Sequence, residues 1–387
     1  MYNNDKNKYI GARKLSFHII CIEMLLQFII LFYVNSTILT KYILCVLFFL
    51  STFLCVIEIK KINIINLMLT TMIVLLMILS TFSGSGGWGA VINAIILIIN
   101  LLVVSQMKFS YNQIRIVSYI YIIFFAILIY YSDRIYTYYI NTNIFNFILN
   151  PNIIAYLALL NCFFAFYLIQ NKRYIIKFLI VFIFTLYLLI ETGARTSLVA
   201  FFVFVFLHLF NKRKQLPKIR FKKYKFWVCF IIVVSFFVIY IYAFLLPNYF
   251  SGDKLVLLNK NIFTGRQIIW QEIFYLMKHN WLFGVGADYA FTNKEFYSAH
   301  NFFLGYAATF GLPVMIGIII LLYRILRDCF LKNNNINTNY IFHIWIVLLI
   351  VSMFETVLSY SPTIVFSTSV FIFNLDSRNR GGNQIDT

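Results

Sequence analysis

Apolar residues fill this chain in long runs, and polar residues gather between them. Runs near the length that crosses a bilayer, about 20 residues, fall at 15–34, 39–57, 63–82, 87–105, 114–131, 152–170, 174–191, 196–210, 226–246, 300–323, 340–358 and 362–375. They predict an all-α, polytopic membrane protein of about twelve transmembrane helices. The first run follows a basic stretch with no small-residue cleavage site after it, so it reads as a first span rather than a removed signal peptide. The plan is a cytoplasmic tail over 1–14, spans one to nine over 15–246 with a basic cytoplasmic loop at 211–225, and one large outer-face loop over 247–299. Spans ten to twelve follow over 300–375, with a cytoplasmic tail over 376–387. Most connections are short. A long loop in a compact protein is usually functional or disordered, and this one is rich in aromatics, with helical spacing and paired glycines, so it is expected to fold.

Composition supports that class. The chain is 62% hydrophobic and 12% charged, with a mean hydropathy of +0.85. A soluble domain cannot hide that much apolar surface. The net charge of +19 would suggest nucleic acid in a soluble protein. Its distribution says otherwise. With the N-terminus inside, eight basic residues face outward: Lys41, Arg134, Arg195, Lys254, Lys260, Arg266, Lys278 and Lys294. The other 24 Lys and Arg face the cytoplasm. That asymmetry orients the spans, with both termini cytoplasmic, and no nucleic-acid partner is expected. The six cysteines form no C-x-x-C pair. No D-x-D pair and no His cluster at ligand spacing occurs, so neither a metal nor another cofactor is expected.

The loop and its borders carry the candidate chemistry. Thr264 and Gln267 have capping-box spacing. Ile269, Trp270, Ile273, Phe274 and Met277 then recur at helical spacing, as in a helix lying on the membrane with this face down. Arg266 falls in its first turn, where free N–H groups favour an anion. It reads as a phosphate seat, or as an Arg snorkelling to headgroups. Gly284 and Gly286 allow a tight turn. His300 and Asn301 stand at the mouth of the next span, where His300 reads as a proton carrier or a donor to phosphate, or as a structural group. Gly305, Ala307, Ala308 and Gly311 read as a packing face. Arg195, between two apolar runs, needs a partner or a role, and Glu191 is four residues away. Glu23, Glu355, His208 and His343 also stand at or near membrane depth, with no ranking among them.

The order is T-G-R with Trp four after the Arg, then N-W-L-F-G-V-G, then H-N, then G-L-P, with G-A-R-T-S-L upstream. It resembles the O-antigen ligase and O-antigen polymerase (Wzy-type) family over about 190–315. The resemblance implies a metal-independent membrane glycosyltransferase in the bacterial inner membrane. Its substrate would be an undecaprenyl-pyrophosphate-linked glycan, as donor and acceptor. Membrane lipid is a further partner, as are a chain-length regulator and a flippase. Carried over, Arg195 and Arg266 fit pyrophosphate-binding arginines and His300 the family's histidine. Gly-Ala-Arg departs from the commoner Ser-Arg at Arg195.

The chemistry fits those residues. Charge grows on the leaving pyrophosphate, and fixed Arg donors stabilise it. The attacking hydroxyl needs a base or acceptor, for which His300 leads and Glu272, Asp288 and Glu295 are alternatives. The expected activity is polymerisation of repeat units into O-antigen, capsular or related polysaccharide. The alternatives are a ligase that hands finished glycan to a terminal acceptor and, in another class, a lipid-glycan flippase or transporter. No repeated halves are visible to favour the last.

Overall fold

The computed structural model describes residues 63–84, 87–104, 115–116, 118–120, 122–123, 151–169, 175–213, 233–234, 236–249, 256–257, 260–261, 265–292, 299–332 and 338–355. In chain order these form α1 (Ile64–Ser83), α2 (Trp88–Val104), α3 (Pro151–Ile169), α4 (Ile175–Glu191) and α5 (Arg195–Arg213). A π-helical turn, Ile241–Leu245, leads into the short α6 (Leu246–Tyr249). Then come α7 (Arg266–His279), α8 (Phe302–Phe310), α9 (Leu312–Lys332) and α10 (Thr338–Phe354). The strand content among the described residues is one two-residue antiparallel ladder, β1 (Val256–Leu257) with β2 (Lys260–Asn261). The class is all-α, as the apolar runs predict. The spans expected at 15–34, 39–57 and 362–375 lie outside the described residues, as does most of the 211–225 loop.

Among the described residues one helix, α1, is long and apolar enough to cross a membrane by length and composition. Its polarity is inverted relative to a soluble helix. The buried positions include Asn66, Thr70, Ser80 and Thr81, while Ile64, Met68, Met72, Leu75, Leu79 and Phe82 are exposed. Lipid suits that arrangement, because hydrocarbon accepts the apolar face and the polar groups find partners inside. On α4, Ile176, Leu179, Ile183, Tyr187 and Ile190 are likewise exposed and Thr185 is buried.

The chain divides into two compact units. The first comprises 1–62, 103–201 and 363–387, the second 63–102 and 202–362. In the first, α3 packs on α4. Every residue from Ala155 to Phe166 is no more than 2% exposed, as an all-round apolar helix requires. Ala158 meets Leu188, and the Phe182 and Phe201 rings lie 5.1 Å apart.

In the second unit α1 and α9 run antiparallel, and three contacts fix their register. The Ser80 hydroxyl donates to the Thr309 carbonyl at 3.0 Å, just before α9 begins. Midway, Gly317 lies against Ile73 so closely that a Cβ would come within 2.8 Å of it. At the far end Arg324 Nε donates to Asn66 Oδ1 at 2.7 Å, and Asp328 accepts from Asn63 and Asn66. Arg327 pairs with Asp328 at 3.1 Å.

One expected element is corrected. The run 300–323 is not one span but two helices, α8 and α9, broken at Gly311. Gly311 has φ 90°, and its N–H closes α8 on the Ala307 carbonyl. The left-handed region there favours glycine, and Pro313 sits in the first turn of α9, where its missing N–H costs nothing.

Candidate functional site

The site is built on α7. The expected capping box does not form: the N-cap is Gly265, at φ 82°, with no side-chain hydrogen bond to the helix. A glycine in the left-handed region turns the chain sharply into the helix; Thr264, the expected cap, lies outside the described residues. The apolar face is where the spacing puts it, but what covers it is protein. Ile269, Trp270 and Ile273 are fully buried in a cluster with Ile239, Ala243, Ala299, Leu304 and Ala308, and Phe274 and Met277 pack at its edge. That corrects the expectation of a helix resting this face on lipid. Two polar ties fix the seat, Trp270 Nε1 to the Ala299 carbonyl at 2.8 Å and Gln271 Nε2 to the Ala243 carbonyl.

Arg266 opens α7 and turns its guanidinium to the end of α10. It donates to the Phe354 carbonyl at 2.8 Å and to Glu355 Oε1 at 2.5 Å. The Glu355 side chain is only 5% exposed, so its charge requires a partner. The other carboxylate oxygen faces His300 Nδ1 at 3.5 Å, longer than a hydrogen bond but within ion-pair range. One buried acid thus joins Arg266 and His300, which are far apart in sequence. Arg has five N–H donors; the two engaged leave three.

His300 adopts φ 45°, the only positive φ outside glycine among the described residues. That costs about 1–3 kcal/mol and persists only where the surroundings enforce it. Asn301 is the enforcing residue. Fully buried, it caps α8 by accepting from the Leu304 N–H at 2.8 Å and donates to the Met353 carbonyl. The H-N pair therefore splits its work: Asn301 ties α8 to α10, and His300 is held toward the carboxylate one turn away.

The segment 280–286 is held as tightly. Val285 and Gly286 donate to the Ala308 and Thr309 carbonyls at 2.8 and 3.1 Å, and Leu312 donates to the Trp281 carbonyl at 2.8 Å. The Ser80 hydroxyl also reaches the Phe283 carbonyl. A Cβ at Gly284 would sit 2.5 Å from the Ala308 oxygen, and one at Gly311 2.2 Å from the Leu282 oxygen. The glycines of G-V-G and G-L-P are thus a close backbone approach that seats α7 against α8 and α9.

The remaining sequence candidates divide. Glu272 accepts from the Tyr289 hydroxyl at 2.8 Å and from the Thr292 N–H through both oxygens. It fastens the loop after α7, and a carboxylate so occupied is a poor base. Burial, then the bond to Glu272 and its charge, push the Tyr289 phenol above its ordinary range, so it stays a donor. Asp288 is exposed in the turn after Ala287, and Glu295 lies outside the described residues. Arg195 is in the first unit, half-buried at the start of α5, after a turn at Gly193 with φ 59°. Arg266 and His300 are both in the second unit. Glu355 is the residue the sequence reading did not place in the site; its signal was an acid inside an apolar run. Among the described residues no three His, Cys, Asp or Glu side chains gather as a metal site requires.

Residues 180–319 match the family model described as O-Antigen ligase. The stretch contains Arg195, Arg266 and His300, and Glu355 lies beyond it. Comparison with curated proteins gives no match.

Proposed function

We propose that this chain, whose residues 180–319 carry the O-antigen ligase family domain, is a membrane glycosyltransferase that polymerises undecaprenyl-pyrophosphate-linked repeat units on the outer face of the bacterial inner membrane. The observation that carries this reading is the convergence of Arg266 and His300 on Glu355. The acceptor sugar hydroxyl attacks the anomeric carbon of the donor, the bond from that carbon to the pyrophosphate oxygen breaks, and the lipid pyrophosphate leaves. Arg266, held by Glu355 and the Phe354 carbonyl, turns its remaining N–H groups to the growing negative charge. His300, with Nδ1 toward Glu355, takes the hydroxyl proton at Nε2. Arg195, in the first unit, is proposed from the resemblance alone as a phosphate-binding arginine. The same groups would serve a ligase, which differs in its acceptor.

The glycan ladder of a deletion strain tests this assignment. Loss of a polymerase leaves single repeat units on the final acceptor. Long chains stranded on the lipid carrier would make the protein a ligase, and units trapped on the inner leaflet a flippase. The mechanism needs no metal, so chelation should leave activity unchanged; loss with EDTA that magnesium restores would refute it. The twelve-span plan places 211–225 in the cytoplasm because of its basic residues. A cysteine introduced there should react with a membrane-impermeant maleimide only after the cells are opened.

A further inference from the structure

The face of α7 opposite Arg266 has a separate chemistry. Ile268, Glu272, Tyr275 and His279 recur at intervals of four, three and four, which places them on one side of the helix. Arg266 lies on the other side with Ile269, Trp270 and Ile273, which are packed into protein. On the outward side Tyr275 is 66% exposed, and Trp281, just past the helix end, is 54% exposed. The Tyr275 and His279 rings lie 4.8 Å apart, so the pair presents a joined aromatic surface. Lys278, His279 and Asp288 are also exposed. Hydrocarbon would penalise charges such as Lys278 and Asp288, which sets them apart from the apolar side of the helix.

Exposed aromatics with a polar rim mark a binding surface, and this one is rigidly mounted. The Trp281 carbonyl is held by the Leu312 N–H at 2.8 Å. Glu272 fastens the following loop through Tyr289 and Thr292, and the Tyr289 and Phe291 rings meet edge to face. We propose that Tyr275, His279 and Trp281 form a sugar-stacking subsite that holds the glycan chain beyond the reacting unit. The C–H face of a pyranose carries slight positive charge and stacks on the negative face of an aromatic ring. Asp288 and Lys278 offer an acceptor and donors for its hydroxyls. Stiff Tyr and Trp side chains give such contact at low entropic cost. The inference rests on the glycosyltransferase reading for the identity of the ligand.

The test uses the full-length protein in nanodiscs and, as probe, the lipid-free oligosaccharide cleaved by mild acid from the producing strain's own glycan. Wild type and Arg266→Lys should bind it alike. The Tyr275→Ala/Trp281→Ala double variant should bind about tenfold more weakly, and the Tyr275→Phe/Trp281→Phe variant, which keeps the rings, should retain binding. In cells the double alanine variant should shift the ladder to shorter chains. Unchanged binding in the double alanine variant overturns the subsite. So does quenching of Trp281 fluorescence by brominated phospholipid, which would assign the strip to the bilayer surface. If Arg266→Lys leaves long-chain glycan intact while the probe still binds through these rings, the catalytic reading fails and the subsite stands.

Discussion

Arg266→Lys is expected to cut formation of long-chain glycan by about a hundred- to a thousandfold, the cost of losing a fixed donor to a developing oxyanion, while the protein still reaches the membrane. Lysine keeps the charge but not the planar fork, and Arg266 makes two directed bonds at once, to the Phe354 carbonyl and Glu355. An ammonium holding both would have one donor left for a pyrophosphate and no planar fork to present it. Arg266→Ala should abolish the product and also destabilise the fold, since it leaves the buried carboxylate of Glu355 without its strongest partner, an effect of about 3–5 kcal/mol. Glu355→Gln separates the two roles. The amide keeps the shape and one acceptor, so the protein should accumulate normally, yet activity should fall because neither Arg266 nor His300 faces an anion. Polymer length on a gel, normalised to membrane protein level, measures all three. A normal ladder from Glu355→Gln would remove Glu355 from the mechanism.

Gly311→Ala should be the most damaging small substitution in the second unit. The residue has φ 90°, and the new Cβ would sit 2.2 Å from the Leu282 oxygen. Neither the backbone conformation nor the neighbour can yield cheaply, because Leu282 lies in a segment bonded to α8 and α9 on both sides. Separating α9 from Trp281–Gly286 would release the seat of α7. Little folded protein should be recovered, with a clear fall in unfolding temperature for what remains. Gly305→Ala is the control: its Cβ would meet only the Ala299 methyl at 3.5 Å, and its unfolding temperature should stay near wild type. Similar losses from both substitutions would refute the close-approach argument.

Among the described residues the helices α1 to α5 and α10 lie where the apolar runs put them, and the spacing along α7 gave its buried face correctly. Spacing did not reveal what would cover that face. Lipid and the side chains of Ala243, Leu304 and Ala308 are equally apolar, and only the tertiary structure distinguishes them. The motif residues Arg266 and His300 could be chosen, but their shared partner could not. Glu355 stands far from both in sequence, and nothing local separated it from Glu23 or His343. Glu272 shows the opposite error. An acid on the loop helix reads as a base until Tyr289 and Thr292 are found bonded to it. At 300–323 the apolar run hid a break, since Gly311 also satisfies a small-residue packing pattern and its left-handed backbone appears only in three dimensions.

The antiparallel pair α1 and α9 carries one more consequence. Asn66 is tied to Arg324 at one end and Ser80 to Thr309 at the other, about 21 Å apart at the helical rise. The polar end and the loop that seats α7 are therefore joined by a strut of fixed length. On the proposed topology that strut crosses most of the hydrocarbon layer, and a bilayer thinner or thicker than its match must deform or tilt it. On the proposed function, the height of Arg266 and His300 above the lipid is then set by membrane thickness as well as by sequence, so lipid acyl-chain length becomes a control on how they meet a lipid-anchored substrate.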